Sequence, residues 1–115
     1  MRRLLIVDDE PTLLQLLKRY LERQGYEVVT SATAEQALTV FEVDPQRFDM
    51  VITDLTLPGM NGAALLEKMR EKNATIPALI SSGYPYEPQL KGVGFLLKPF
   101  LPQMLLEQIA ATLKP

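Results

Sequence analysis

The chain has 115 residues, 12 basic against 14 acidic, for a formal charge of −2 at pH 7. That length fits one domain, and the near balance of charge argues against a nucleic-acid binder, which needs a basic face. Apolar residues make up 47%, which rules out a disordered chain, and the absence of cysteine and histidine excludes disulfide frameworks, zinc sites, Ser-His-Asp triads and phosphorylation on its own histidine.

Leu4–Val7 is a short solid apolar run, broken by Asp8-Asp9-Glu10-Pro11. Such runs predict strands buried on both faces. Leu13, Leu14, Leu16, Leu17, Tyr20 and Leu21 then fall at helical spacing, with Pro11 in the tolerated first turn and Gly25 at the expected end. Glu27–Thr30 predicts a second strand. Ala34, Ala37, Leu38 and Phe41 predict a second helix that stops before Asp44-Pro45. Met50–Thr53 predicts a third strand, followed by Asp54 and a loop over Leu55–Asn61 that holds Pro58 and Gly59. Ala63, Leu65, Leu66 and Met69 mark a third helix, ending near Lys72-Asn73. Pro77–Ser81 and Gly94–Leu97 predict strands four and five, and Met104, Leu105, Ile109 and Leu113 a last helix.

Alternating strands and helices predict a parallel sheet with helices on both faces and right-handed crossovers. The crossover between strands four and five is short. Only Gly83–Val93 lies there, with Gly83, Pro85, Pro88 and Gly92 inside it. A crossover with its helix needs at least about 10–12 residues, so the fourth helix should be stunted or missing. No apolar run reaches the roughly 18 residues of a membrane span, and no signal peptide precedes the first strand. A soluble cytoplasmic module without membrane contact is the expectation. The last helix is amphipathic; its outer face could serve a homodimer, but an ordinary surface helix is the better explanation.

In open parallel sheets, function collects beyond the carboxyl ends of the strands. Those ends carry Asp8 and Asp9, Asp54, Ser81 and Ser82, and Lys98. Three acids together repel one another and raise their own pKa values unless a cation compensates. Lys98 is one such cation. A hard divalent ion such as Mg²⁺, which prefers carboxylate oxygens, is another. A carboxylate beside such an ion can attack phosphorus and become an aspartyl phosphate. Each residue alone has a plainer explanation: Asp8 or Asp9 as a helix cap, Asp54 as a turn residue, Ser82-Gly83 as a turn, Lys98 as a solvated surface lysine. All of them together at strand ends are harder to explain that way.

The segments Leu5-Ile6-Val7-Asp8-Asp9-Glu10, Asp54-Leu55-Thr56-Leu57-Pro58-Gly59-Met60-Asn61-Gly62, Ser82-Gly83-Tyr84 and Phe95-Leu96-Leu97-Lys98-Pro99-Phe100 span the chain. With them the sequence resembles the receiver domains of bacterial two-component signalling. The resemblance implies a doubly wound, flavodoxin-like sheet of order 2-1-3-4-5. It implies Asp54 as phosphoacceptor and Asp9 as a direct Mg²⁺ ligand. Asp8 would assist through water, and the Thr56 backbone carbonyl would be a further ligand. Ser82 and Phe95 would be the switch pair, Lys98 the partner of the phosphoryl oxygens, and Lys98-Pro99 a cis bond. Thr56 and Tyr84, each two residues past a site residue, would tune the lifetime of the phosphoryl group.

The chain departs from the family in four places. Phe95 lacks the hydroxyl that many receivers carry there, and a plain core phenylalanine is its simpler reading. Asn61 stands for the usual Asp and Leu57 for the usual Met. The stunted fourth crossover reduces the face that receivers commonly use for output. The shortened pattern is similar to receivers attached to hybrid sensor histidine kinases. The expected function is a phosphoacceptor switch fed by a histidine kinase, without turnover of a free substrate. The alternative is a phosphate-independent interaction module on the same fold. A phosphatase of the haloacid dehalogenase type would need Asp-x-Asp-x-Thr, where the chain has Asp8-Asp9-Glu10-Pro11-Thr12. A nucleotide or flavin binder would need a glycine-rich first turn.

Overall fold

A computed structural model of the chain describes residues 1–114. Five strands alternate with helices: β1 (Arg3–Val7), α1 (Pro11–Arg23), β2 (Glu27–Ser31), α2 (Ala34–Val43), β3 (Met50–Asp54), α3 (Gly62–Lys72), β4 (Ala78–Ser82), β5 (Val93–Leu97) and α4 (Pro102–Thr112). The strands form one sheet of order β2-β1-β3-β4-β5, every pair parallel. Expected and observed elements agree to within about two residues at their strand and helix starts.

The period-two alternation of each strand divides the core between two faces. Leu5, Val7, Val51, Ala78 and Ile80 meet Phe41 of α2 and Leu65, Leu66 and Met69 of α3. Leu4, Ile6, Met50, Ile52 and Leu79 meet Leu14, Leu17 and Leu21 of α1 and Leu105 and Ile109 of α4. Burial on both faces is why β1, β3 and β4 are continuous apolar runs. α1 ends against Gly25, whose φ of 94° is the left-handed conformation that glycine adopts without steric cost.

The helix expected to be stunted between β4 and β5 is absent: no helix is formed over 83–92. Tyr86 and Leu90 from this segment, with Val93, cover the α2/α3 face of the core. Arg70 of α3 ties the segment down. Its guanidinium donates to the Ile76 carbonyl from Nε (3.0 Å) and Nη2 (2.8 Å), and to the Lys91 carbonyl from Nη1 (2.7 Å). One planar, permanently charged fork thus holds two loops that have no helical hydrogen bonds of their own.

Arg70→Ala is expected to cost about 1.5–3 kcal/mol, the range for hydrogen bonds to a charged donor. Hydrogen exchange should accelerate over 83–92 and leave β1 and β3 protected. Unchanged exchange over 83–92 would show that Tyr86 and Leu90 hold the segment alone.

Candidate functional site

The sheet ladder continues one residue past the strand ends and sets the site. The Asp8 amide donates to the Ser31 carbonyl (3.2 Å), the Leu55 amide to Ser81 (2.8 Å) and the Lys98 amide to Ser82 (2.7 Å). Asp54 itself pairs with Ser81 in register. Backbone hydrogen bonding therefore brings residues about 45 positions apart in sequence to one edge, before any side chain interacts.

At that edge one carboxylate oxygen each of Asp8, Asp9 and Asp54 lie within 4.8 Å of one another. Asp8 and Asp54 are buried and Asp9 is exposed. The Lys98 ammonium donates to Asp8 Oδ2 at 2.7 Å and pairs with Asp54 Oδ2 at 3.3 Å. Asp8 Oδ1 accepts the Glu10 amide at 3.0 Å, so Asp8 has both oxygens engaged. Asp54 has the looser pairing. The Lys98–Pro99 peptide is cis.

The electrostatics follow the geometry. Burial pushes the Asp54 carboxyl above its ordinary 3.8; the Lys98 charge draws it down, and the Asp8 charge raises it again. The Lys98 hydrogen bond and the Thr56 backbone amide also draw it down without restoring it. Burial alone would lower Lys98, but its hydrogen bond to Asp8 and the charges of Asp8 and Asp54 outweigh burial and hold it above 10.5. Lys98 is therefore cationic at neutral pH. Three carboxylates against one ammonium leave a formal −2 when all are ionised. Hard oxygen donors with that residual charge suit Mg²⁺.

The plainer readings of four residues do not hold. Neither Asp8 nor Asp9 caps α1; the cap position is Glu10, and its side chain makes no capping bond. Asp54 closes β3 rather than lying in a turn. Lys98 is a paired cation, not a solvated surface lysine. The turn reading of Ser82 holds in part: its Oγ accepts the Tyr84 amide at 3.2 Å. Phe95 pairs with Ile80, so it shares a sheet face with Ser82, and it is half-buried. Thr56 is exposed, although its backbone amide reaches Asp54, and Tyr84 is 55% exposed. Two contributors went unread in the sequence. The Thr53 hydroxyl donates to the Asp54 carbonyl at 2.9 Å, and Gly62 lies against that same carbonyl. A glycine directly after a helix-capping asparagine was the available signal for the second.

A family model described as "Response regulator receiver domain" matches residues 4–110. The chain belongs to the response regulator receiver family. The receiver domain of the hybrid histidine kinase CckA has a TM-score of 0.89 and 36% identity, covering 97% of this chain and 99% of that one. The response regulator TrrA of Thermotoga maritima, solved in complex with Mg²⁺-BeF, has a TM-score of 0.86 and 31% identity, covering 97% and 99%. Among curated receivers, the regulatory protein VanR of Enterococcus faecium is 32% identical over 118 residues, which is 97% of this chain and 50% of VanR. The sensor protein EvgS of Escherichia coli K12 is 43% identical over 74 residues, 64% of this chain and 6% of EvgS. The receiver thus spans at most about half the length of these curated relatives. None of its described helices is long and apolar enough to cross a membrane.

A carboxyl with a raised folded pKa weakens the fold as pH rises. The cost is absent below its unfolded pKa and complete above its folded one. Metal-free Asp54→Asn is therefore expected to melt a few degrees above wild type at pH 7, on the scale of roughly 4 °C per kcal/mol for a receiver of this size. The gap should close as pH falls through the carboxylate range. A variant that melts below wild type at pH 7 would contradict this balance of charges.

Proposed function

We propose that this receiver is a phosphoacceptor switch in a two-component phosphorelay. The observation that carries the reading is the Lys98 ammonium held between Asp8 and Asp54, with Asp9 completing the acid cluster. In this reading the donor is the phosphohistidine of a histidine kinase, which fits a chain that has no histidine of its own. A carboxylate oxygen of Asp54 forms the new O–P bond while the P–N bond of the donor breaks. The imidazole keeps the electron pair and takes a proton from solvent. Asp54 suits the role because it is the less tightly paired of the two buried acids. Lys98 neutralises oxygens of the transferring group. Bound Mg²⁺ would neutralise charge on those same oxygens. Asp8, Asp9 and Asp54, with the Thr56 backbone carbonyl, would hold it.

Ser82 and Phe95 would carry the signal away from the site. Ser82 Oγ accepts the Tyr84 amide, which leaves its own proton to donate to a phosphoryl oxygen. Phe95 lies on the same sheet face, next to the segment that takes the place of a helix. Its position would be set by packing alone, since it has no hydroxyl. The likeness to CckA and EvgS supports a receiver that works beside or within a hybrid kinase. The receiver would catalyse its own phosphorylation and slow dephosphorylation without turning over a free substrate. It would work in the cytoplasm, without nucleic-acid contact.

Incubation with acetyl phosphate and Mg²⁺ is expected to add one phosphate to the intact mass. The gain should vanish in Asp54→Asn and with a chelator. Tyr84→Ala should then shorten the lifetime of the phosphoryl group by opening it to water. A folded wild type that gains no mass from acetyl phosphate or from a phosphohistidine donor would favour the phosphate-independent interaction module.

A further inference from the structure

The first residue of α3 is a glycine, although alanine is the better helix former at almost any helical position. The reason is visible at the end of β3. A Cβ on Gly62 would come far closer to the Asp54 backbone oxygen than van der Waals contact allows, and it would stand 3.1 Å from both the Asp54 carbonyl carbon and Thr53 Cγ2. The obstruction is backbone, which cannot swing aside as a side-chain tip does. Gly62 has an ordinary helical role, so the demand here is for space, not for unusual φ.

Two further bonds fasten the same spot. The Gly62 amide donates to the Leu55 carbonyl at 2.8 Å, which closes the loop carrying Thr56. The Thr53 hydroxyl donates to the Asp54 carbonyl at 2.9 Å. From beyond the contact, the Asn61 side chain caps α3 through the Ala64 amide at 2.8 Å, and Leu55 and Leu57 are buried in the core. The Asp54 carbonyl is thus gripped by a hydroxyl and pressed by a bare α-carbon. The carboxylate it carries, and the loop that follows it, take their position from that contact.

We propose that Gly62 is a positioning residue for the site. By lacking a side chain it lets α3 seat against the Asp54 carbonyl, and this sets Asp54 and the Thr56 loop relative to Asp8 and Asp9. The inference rests on the reading of these acids as a cation-binding phosphoacceptor site. It adds a residue that touches neither the cation nor the phosphoryl group. Displacement of a ligand by a fraction of an ångström is poorly tolerated by Mg²⁺, which demands near-ideal octahedral geometry. Stability need not suffer in parallel, because α3 can shift outward as a unit and alanine favours the helix.

The test is Mg²⁺ titration by calorimetry on wild type, Gly62→Ala, Thr53→Val and Asp9→Asn, with thermal melts and amide spectra of each in chelator. Wild type should bind, and Asp9→Asn should not. Gly62→Ala should fold with a cooperative melt and bind at least about tenfold more weakly. Its metal-free amide shifts should move at Leu55 and Thr56. A folded Gly62→Ala with wild-type affinity and unmoved Leu55 and Thr56 amides would overturn the inference. Should Gly62→Ala fail to fold, Thr53→Val decides: weakened binding supports the grip on the Asp54 carbonyl, and wild-type binding overturns it. Wild type that binds no Mg²⁺ would instead count against the cation-site reading, and the metal-free amide shifts would still decide the role of Gly62.

Discussion

Everything at this site is arranged around one ammonium group. Lys98 reaches from the end of β5 into a cluster of three acids and pairs with the two that are buried. Burial should penalise the charges on Asp8, Asp54 and Lys98. The lysine offsets the penalty for Asp8, whose oxygens are both bonded, more completely than for Asp54. Two acids of one residue type therefore have different characters, set by how closely Lys98 approaches each. Asp8 is the fixed counter-charge of the lysine. Asp54 is the acid left partly uncompensated, and so the one with most to gain from a further cation.

The fold serves that imbalance. Parallel ladders carry the strand ends to one edge, and the bonds of Asp8, Leu55 and Lys98 amides to the neighbouring strands hold the edge in register. Both faces of the sheet are packed, so the edge cannot relax by twisting without disturbing the core. The face of β5 that lacks a helix is the exception. There the core is closed by Tyr86 and Leu90 from an irregular segment, held by Arg70. Ser82 touches the same segment through the Tyr84 amide. A hydroxyl at the site and a lightly held loop are thus one hydrogen bond apart, which gives the proposed switch a short path to the surface.

Most of the fold was legible in the sequence, because a doubly wound sheet writes itself as solid apolar runs alternating with helical spacing. The missing helix was legible too, from the eleven residues between strands four and five and the glycines and prolines among them. The acids, Ser82 and Lys98 could be placed together once their strand ends were assigned. Their division of labour could not. It depends on which oxygen Lys98 reaches first and on how deeply each acid lies. The helix-cap reading of Asp8 and Asp9 failed for a related reason: cap preference is a local tendency, and here the pairing of Asp8 with Lys98, ninety residues away, prevails. Thr53 was unreadable, and Gly62 offered only its place after a helix-capping asparagine, because a close backbone approach has no signature beyond the absence of a side chain. Arg70 looked like any surface arginine, since its partners are carbonyls in loops.

In the proposed function, the excess negative charge of the cluster is completed by a divalent cation at Asp9 and Asp54. The most direct measurement is the melting temperature against Mg²⁺ concentration, for wild type and Asp9→Asn side by side. Wild type should climb steadily once the ion exceeds its dissociation constant, by about 1.4 kcal/mol of stability for each further tenfold. Asp9→Asn should stay nearly flat. A wild-type curve that is flat, or a variant curve that rises just as steeply, would contradict the account.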